Sequence, residues 1–195
     1  MEKNNFILEI YKDKRTVFTL PDIAMLFPVE NNKYLSDRVG YYVHTKKLLN
    51  PRKGIYTKSG YNSLELANIL YTPSYISLEY VLQQAGVLFQ FDSRITSVSY
   101  LSRELEIDGK SFLYRRIKEE IIMDRTGILQ VNDTVNMATP ERAFLDLLYL
   151  NKSFYFDNLQ PLKRQIIKQL LPIYNSAALL DRTDKLLGND RYQQT

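Results

Sequence analysis

Seven lysines and arginines against one acid between Asn31 and Lys58 could neutralise the phosphates of a polyanion. The cations are Lys33, Arg38, Lys46, Lys47, Arg52, Lys53 and Lys58, the acid is Asp37, and Tyr34, Tyr41, Tyr42 and Tyr56 are interleaved with them. Flat rings beside positive charge suit a sugar-phosphate backbone, so duplex nucleic acid is the first partner this segment implies. A second grouping could do different chemistry. Glu104, Glu106, Asp108 and Lys110, with Asp92 upstream, offer carboxylates for Mg²⁺ and a lysine to orient water, as in a metal-dependent nuclease. Against that, Asp108-Gly109 is a hairpin-turn signal that puts the acid at a loop tip. The single histidine, His44, has no nucleophile beside it and reads as solvated or phosphate-contacting. With no cysteine either, no catalytic residue, metal or cofactor is expected, and a reducing cytoplasm is the expected compartment.

The basic segment needs a scaffold, and the first third of the chain reads as one. Phe6, Ile7, Ile10 and Tyr11 recur at helical spacing, and a short extended TVF follows. Thr19 can cap a second helix with Pro21 and Asp22 in its first turn. In a third helix Leu35, Val39, Tyr42 and Val43 make the packing face, while Lys33, Ser36, Asp37, Gly40, His44 and Lys47 fall opposite. Gly40 costs that helix about 1 kcal/mol against alanine; it either lets the helix approach another surface or makes room for a neighbouring helix. Leu48-Leu49, a turn at Asn50 to Gly54, and Ile55-Tyr56-Thr57 then read as a hairpin.

Three helices followed by a basic hairpin is winged helix-turn-helix order, expected over residues 1–62. In such a fold the third helix enters the major groove by its N-terminal part. The candidate base readers are Asn32, Lys33, Ser36 and Asp37, and the candidate phosphate contacts are Arg38, Lys46, Lys47, Arg52 and Lys53. Charge agrees with this division: residues 1–60 carry 11 Lys/Arg and 6 Asp/Glu, a net +5, and the remainder carries 15 and 16, a net −1.

Residues 63–195 read as a second, mixed antiparallel-sheet and helix domain, which makes the whole chain α+β. SLELANILY and ISLEYVLQQAG suggest helices, the latter with Ser77 as N-cap and Gly86 as the C-terminal glycine. The runs ITSVSYL, RELEI, SFLYRRI, EEIIM, ILQVN and TVNMA suggest an antiparallel sheet, with turns at Asp108-Gly109, Asp124 to Gly127 and Asn132-Asp133. Thr139-Pro140 opens a helix whose Ala143, Phe144, Leu147 and Leu148 form an apolar stripe, and helices over about 163–171 and 176–187 finish the chain. Asp146, beside that stripe without a partner acid, reads as structural or solvated, so its loss is expected to cost little. No segment has the uninterrupted apolar length of a membrane span, and the N-terminus lacks the apolar core of a secretion signal.

RKGIYTK, YTPSYISLEYVLQQAGV, the β-rich middle and above all NMATPERAFLDLLYL resemble the AbiEi family, the antitoxin and transcriptional-regulator half of bacterial abortive-infection toxin-antitoxin systems. The resemblance runs from about residue 5 to 151, and Ala138 to Tyr149 is its most specific piece. It implies an N-terminal domain that binds operator DNA at its own promoter and a C-terminal domain that neutralises a nucleotidyltransferase toxin encoded next door. It also implies a non-enzymatic protein, and carries the DNA-contacting role onto Lys33, Arg38, Lys46, Lys47, Arg52 and Lys53. A dimer or cooperative pair would suit inverted-repeat operators. The other reading open to the residues is a DNA-binding regulator whose second domain senses a ligand, or the nuclease built on Asp92, Asp108 and Lys110.

Overall fold

Helix-period and strand-period runs alternate along the chain and fold as an α+β protein, here a computed structural model that describes residues 6–28 and 31–188. Contacts divide it into two units, Met1–Leu70 and Tyr71–Thr195. Among the described residues no helix is long and apolar enough to cross a membrane.

The first unit runs α1 (Phe6–Lys12), β1 (Val17–Thr19), α2 (Leu20–Leu26), α3 (Asn32–His44), β2 (Leu49–Arg52), β3 (Ile55–Thr57) and α4 (Ser63–Leu70). Thr19 starts α2 through a capping box: its hydroxyl accepts the Asp22 amide, and the Asp22 carboxylate accepts the Thr19 amide at 2.7 Å. Asn31 starts α3 by accepting the Lys33 amide at 2.8 Å. Leu35 and Val39 of α3 are fully buried and join Phe6, Ile10, Phe18, Ile23, Phe27 and Leu48 in one core. The TVF run becomes the third strand of a sheet, because β3 pairs antiparallel with both β1 and β2. The unit continues past residue 62 because α4 is anchored to β1. Buried Glu65 accepts the Thr16 amide at 2.6 Å, the Thr16 hydroxyl at 2.8 Å and the Val17 amide at 3.1 Å.

The second unit runs β4 (Ser74–Ile76), α5 (Leu78–Gln84), β5 (Ile95–Ser99), β6 (Arg103–Ile107), β7 (Lys110–Arg116), α6 (Glu119–Met123), β8 (Ile128–Val131), β9 (Val135–Ala138), α7 (Pro140–Leu150), α8 (Arg164–Leu170) with a 3-10 turn at Leu171–Tyr174, and α9 (Ala177–Leu187). Its strands lie in the order β6-β7-β5-β4-β9-β8. The expected antiparallel sheet is corrected to a mixed one, since β5 pairs parallel with β7 and β4 parallel with β9. The hairpins β6–β7 and β8–β9 form at their expected turns, but each docks its second strand, not its first, onto the central β4–β5 pair. EEIIM is also corrected, from strand to α6: the extended Lys118 begins a short helix whose Ile121 and Ile122 are buried. Ser77 stands at the N-cap of α5, yet its hydroxyl turns away, and Thr96 Oγ1 accepts the Tyr80 amide at 2.9 Å instead.

Candidate nucleic-acid interface

The 13-residue helix α3 is roughly 20 Å long at about 1.5 Å per residue. Leu35 and Val39 hold it to the core with half-buried Tyr42 and Val43, which leaves Lys33, Ser36, Asp37, Gly40, Tyr41 and His44 exposed on the other side. Three of the four expected base readers, Lys33, Ser36 and Asp37, therefore stand on one outward face. The side chain of Asn32, the fourth, lies outside the described residues. Among the described residues no neighbouring helix of this chain needs the room at Gly40, because a Cβ built on it would meet nothing within 4 Å.

Past His44 the chain turns sharply. Lys46 takes a left-handed backbone (φ 57°), its amide donates to Val43 O at 3.0 Å and the Lys47 amide donates to Tyr42 O at 2.9 Å. This pair of bonds satisfies the last carbonyls of α3 and sends Lys46 and Lys47 outward. Tyr11 Oη donates to Lys47 O at 2.9 Å and fixes the same corner. In the β2–β3 hairpin Asn50 Nδ2 donates to Arg52 O at 2.9 Å and to Ile55 O at 2.7 Å, closing the bend. Lys53 and Gly54 occupy its tip, where Gly54 supplies φ 81°. Arg52 and Lys53 are exposed.

Two cations of the basic segment are placed otherwise. The Arg38 guanidinium is half-buried over the Phe6 ring at 4.3 Å and the Tyr34 ring at 5.4 Å, so packing and cation–π attraction hold it against the core. Lys58 is buried, and its ammonium donates to Asp13 O at 2.5 Å and Tyr11 O at 3.3 Å. Burial lowers its pKa against the pull of Asp13 and Glu65. Lys33, Lys46, Lys47, Arg52 and Lys53 make up the outward charge.

The acidic grouping does not converge as a metal site. Asp92 is gripped by Arg94, whose Nη2 lies 2.6 Å from it and whose hydrogen bonds hold the carboxyl below its usual range. Arg94 also reaches Glu104 at 3.5 Å. Asp108 sits at the β6–β7 turn with φ 51°, and Lys110 follows in β7. Among the described residues no three His, Cys, Asp or Glu gather as ligands.

Asp146 is neither solvated nor idle, which corrects the expectation of a cheap replacement. It is fully buried and accepts from Ser77 Oγ at 2.7 Å, Tyr174 Oη at 2.7 Å and Tyr75 Oη at 3.1 Å. Arg142, one turn earlier and equally buried, lies 3.4 Å away through Nε, close enough for an ion pair but without a hydrogen bond from that atom. The guanidinium donates instead to Thr126 O at 2.9 Å, Ile121 O at 2.6 Å and Tyr75 Oη at 3.1 Å. Burial pushes the Asp146 carboxyl above its ordinary value, against the pull of Arg142 and the three hydroxyls. The i,i+4 spacing of Arg142 and Asp146 was visible in TPERAFLD; what concealed the pair was its place beside the leucine stripe.

The second unit also has an open depression of about 830 Å³ whose rim includes Tyr100, Arg116, Lys118, Glu119, Met123 and Tyr149. Arg116, Lys118, Glu119 and Glu120 put charges of both signs along it, beside the apolar Pro73, Ile117 and Ile122. No protein-family model and no curated protein matches the chain.

Proposed function

We propose that the chain is a DNA-binding antitoxin of the AbiEi kind, its first unit a winged helix-turn-helix that lays α3 in the major groove of operator DNA with the β2–β3 hairpin as the wing. The observation that carries this reading is the sorting of α3 and the hairpin. A buried face is tied to the core, and an outward face and tip bear Lys33, Lys46, Lys47, Arg52 and Lys53. A helix about 10–12 Å across with its side chains fits the roughly 12 Å major groove, and cations at one helix end and a hairpin tip suit the flanking phosphates. On this reading Lys33, Ser36 and Asp37 face base edges; Asp37 would accept from cytosine N4 and Lys33 would donate to guanine.

The second unit has the work of neutralising a nucleotidyltransferase toxin encoded beside it, a role that rests on the resemblance of residues 136–150. The chain needs no cofactor for either task and acts in the cytoplasm, as a monomer or as a pair on an inverted repeat. Two measurements test the reading. Fluorescence anisotropy with duplex DNA from upstream of the chain's own gene should give binding that falls steeply with salt. Co-expression with the adjoining nucleotidyltransferase-type gene should restore growth that this gene alone suppresses. Salt-independent binding, or no rescue, would count against the corresponding half.

A further inference from the structure

One residue inside α3 and one just past its C-cap depart from what a stable helix wants, in opposite ways. Gly40 stands well inside the helix, where glycine is the weakest residue after proline, and a Cβ there would meet nothing within 4 Å among the described residues. Lys46 stands at the position just past the C-cap, where a left-handed backbone favours glycine, and it adopts φ 57° with an L side chain. The chain handles the same cap differently in α5. There Gly86, at φ 69°, donates to Gln83 O at 3.0 Å, and Val87 donates to Leu82 O at 2.9 Å, the same two bonds that Lys46 and Lys47 make. A cation is welcome near a helix C-terminus, but Lys47 supplies one at the next position without that backbone.

Glycine is thus found where alanine would be more stable, and lysine where glycine would be. Both residues are exposed, on the side of α3 and at its end that face away from the core. Local rules broken without an internal reason point outside the molecule. We propose that Gly40 is the point where α3 comes closest to the floor of the major groove of B-form duplex DNA, and that Lys46 is a phosphate contact whose aim is set by the left-handed turn. The inference rests on the DNA-binding reading and deepens it. A methyl group at residue 40 would hold the helix back from the base edges that Lys33 and Asp37 are placed to meet, while Lys46→Gly would remove one counterion-displacing charge.

The test uses the full chain and one probe, a labelled duplex of the DNA upstream of its own gene, with a shuffled duplex of the same composition beside it. Gly40→Ala should melt about 2–4 °C higher than the parent, yet bind the upstream duplex roughly tenfold more weakly, with Gly40→Leu weaker still. Lys46→Gly should melt no lower than the parent, weaken both duplexes alike and reduce the salt slope by about 1. Gain of stability with loss of binding is a combination that a purely internal role cannot give. If the parent binds while Gly40→Ala and Lys46→Gly bind within about twofold of it, a difference too small for a lost contact, the inference falls and the DNA-binding reading stands. If the parent itself binds neither duplex, both fall together.

Discussion

Asp146 carries a large consequence for one buried polar side chain. Removing its carboxylate would leave the Arg142 guanidinium buried without its countercharge, and would strip Ser77, Tyr75 and Tyr174 of an acceptor. Breaking a buried pair from one side costs about 3–5 kcal/mol, so Asp146→Ala is expected to lower stability by that amount in a denaturant melt. Ser77→Ala, which removes one of three hydroxyl donors to that carboxylate, should cost less, about 1.5–3 kcal/mol. An Asp146→Ala chain as stable as the parent would refute the network's structural weight. At the surface of the first unit, Arg15 hydrogen bonds hold the Asp13 carboxyl below its ordinary 3.8. A carboxylate depressed in the folded state adds stability above pH 3.8 that is lost as pH falls through the folded value. Asp13→Asn should therefore lower stability across neutral and alkaline pH, where that contribution is fully present, and the gap to the parent should close as pH falls through the folded value in acid melts.

Among the elements, those governed by neighbours in sequence were readable and those governed by distant partners were not. Thr19 and Thr139 cap their helices through local bonds as expected, Ser77 makes no capping bond although its position is right, and the turns at Asp108-Gly109 and Asn132-Asp133 join antiparallel hairpins as their residues imply. The parallel β5–β7 and β4–β9 pairings depend on which strand of each hairpin reaches the central pair, and alternation along one strand does not encode that choice. EEIIM failed for a similar reason: five residues are too few for a period to tell strand from helix. At the candidate interface the outward positions of Lys33, Ser36, Asp37, Lys46, Lys47, Arg52 and Lys53 followed from helical spacing and the hairpin. Spacing was silent about Lys58, because only the folded chain brings Tyr11 O and Asp13 O to its ammonium. The stripe of α7 gives this scale its prediction. Leu147 is fully buried there beside Ala143, Phe144 and Leu148. Leu147→Ala should cost about 2–5 kcal/mol, read as a lower denaturation midpoint with an unchanged slope.

For the molecule as a whole, residues 1–60 carry an excess of +5 against −1 in the remainder, and on the proposed reading the polyanion would belong to the first unit and a different task to the second. The two tasks should then be separable. Changing Lys46, Lys47, Arg52 and Lys53 together to alanine alters exposed side chains and leaves the core of Phe6, Leu35, Val39 and Leu48 intact. That chain should retain its melting temperature and still rescue growth against the toxin when expressed from a foreign promoter. The central claim is tested most directly by titrating the full-length parent and this quadruple variant with the upstream duplex across a salt series. The account predicts a steep fall of log K with log salt for the parent and, for the folded variant, weaker binding with a slope shallower by about one unit per cation removed. Equal affinities and equal slopes for the two proteins would contradict it.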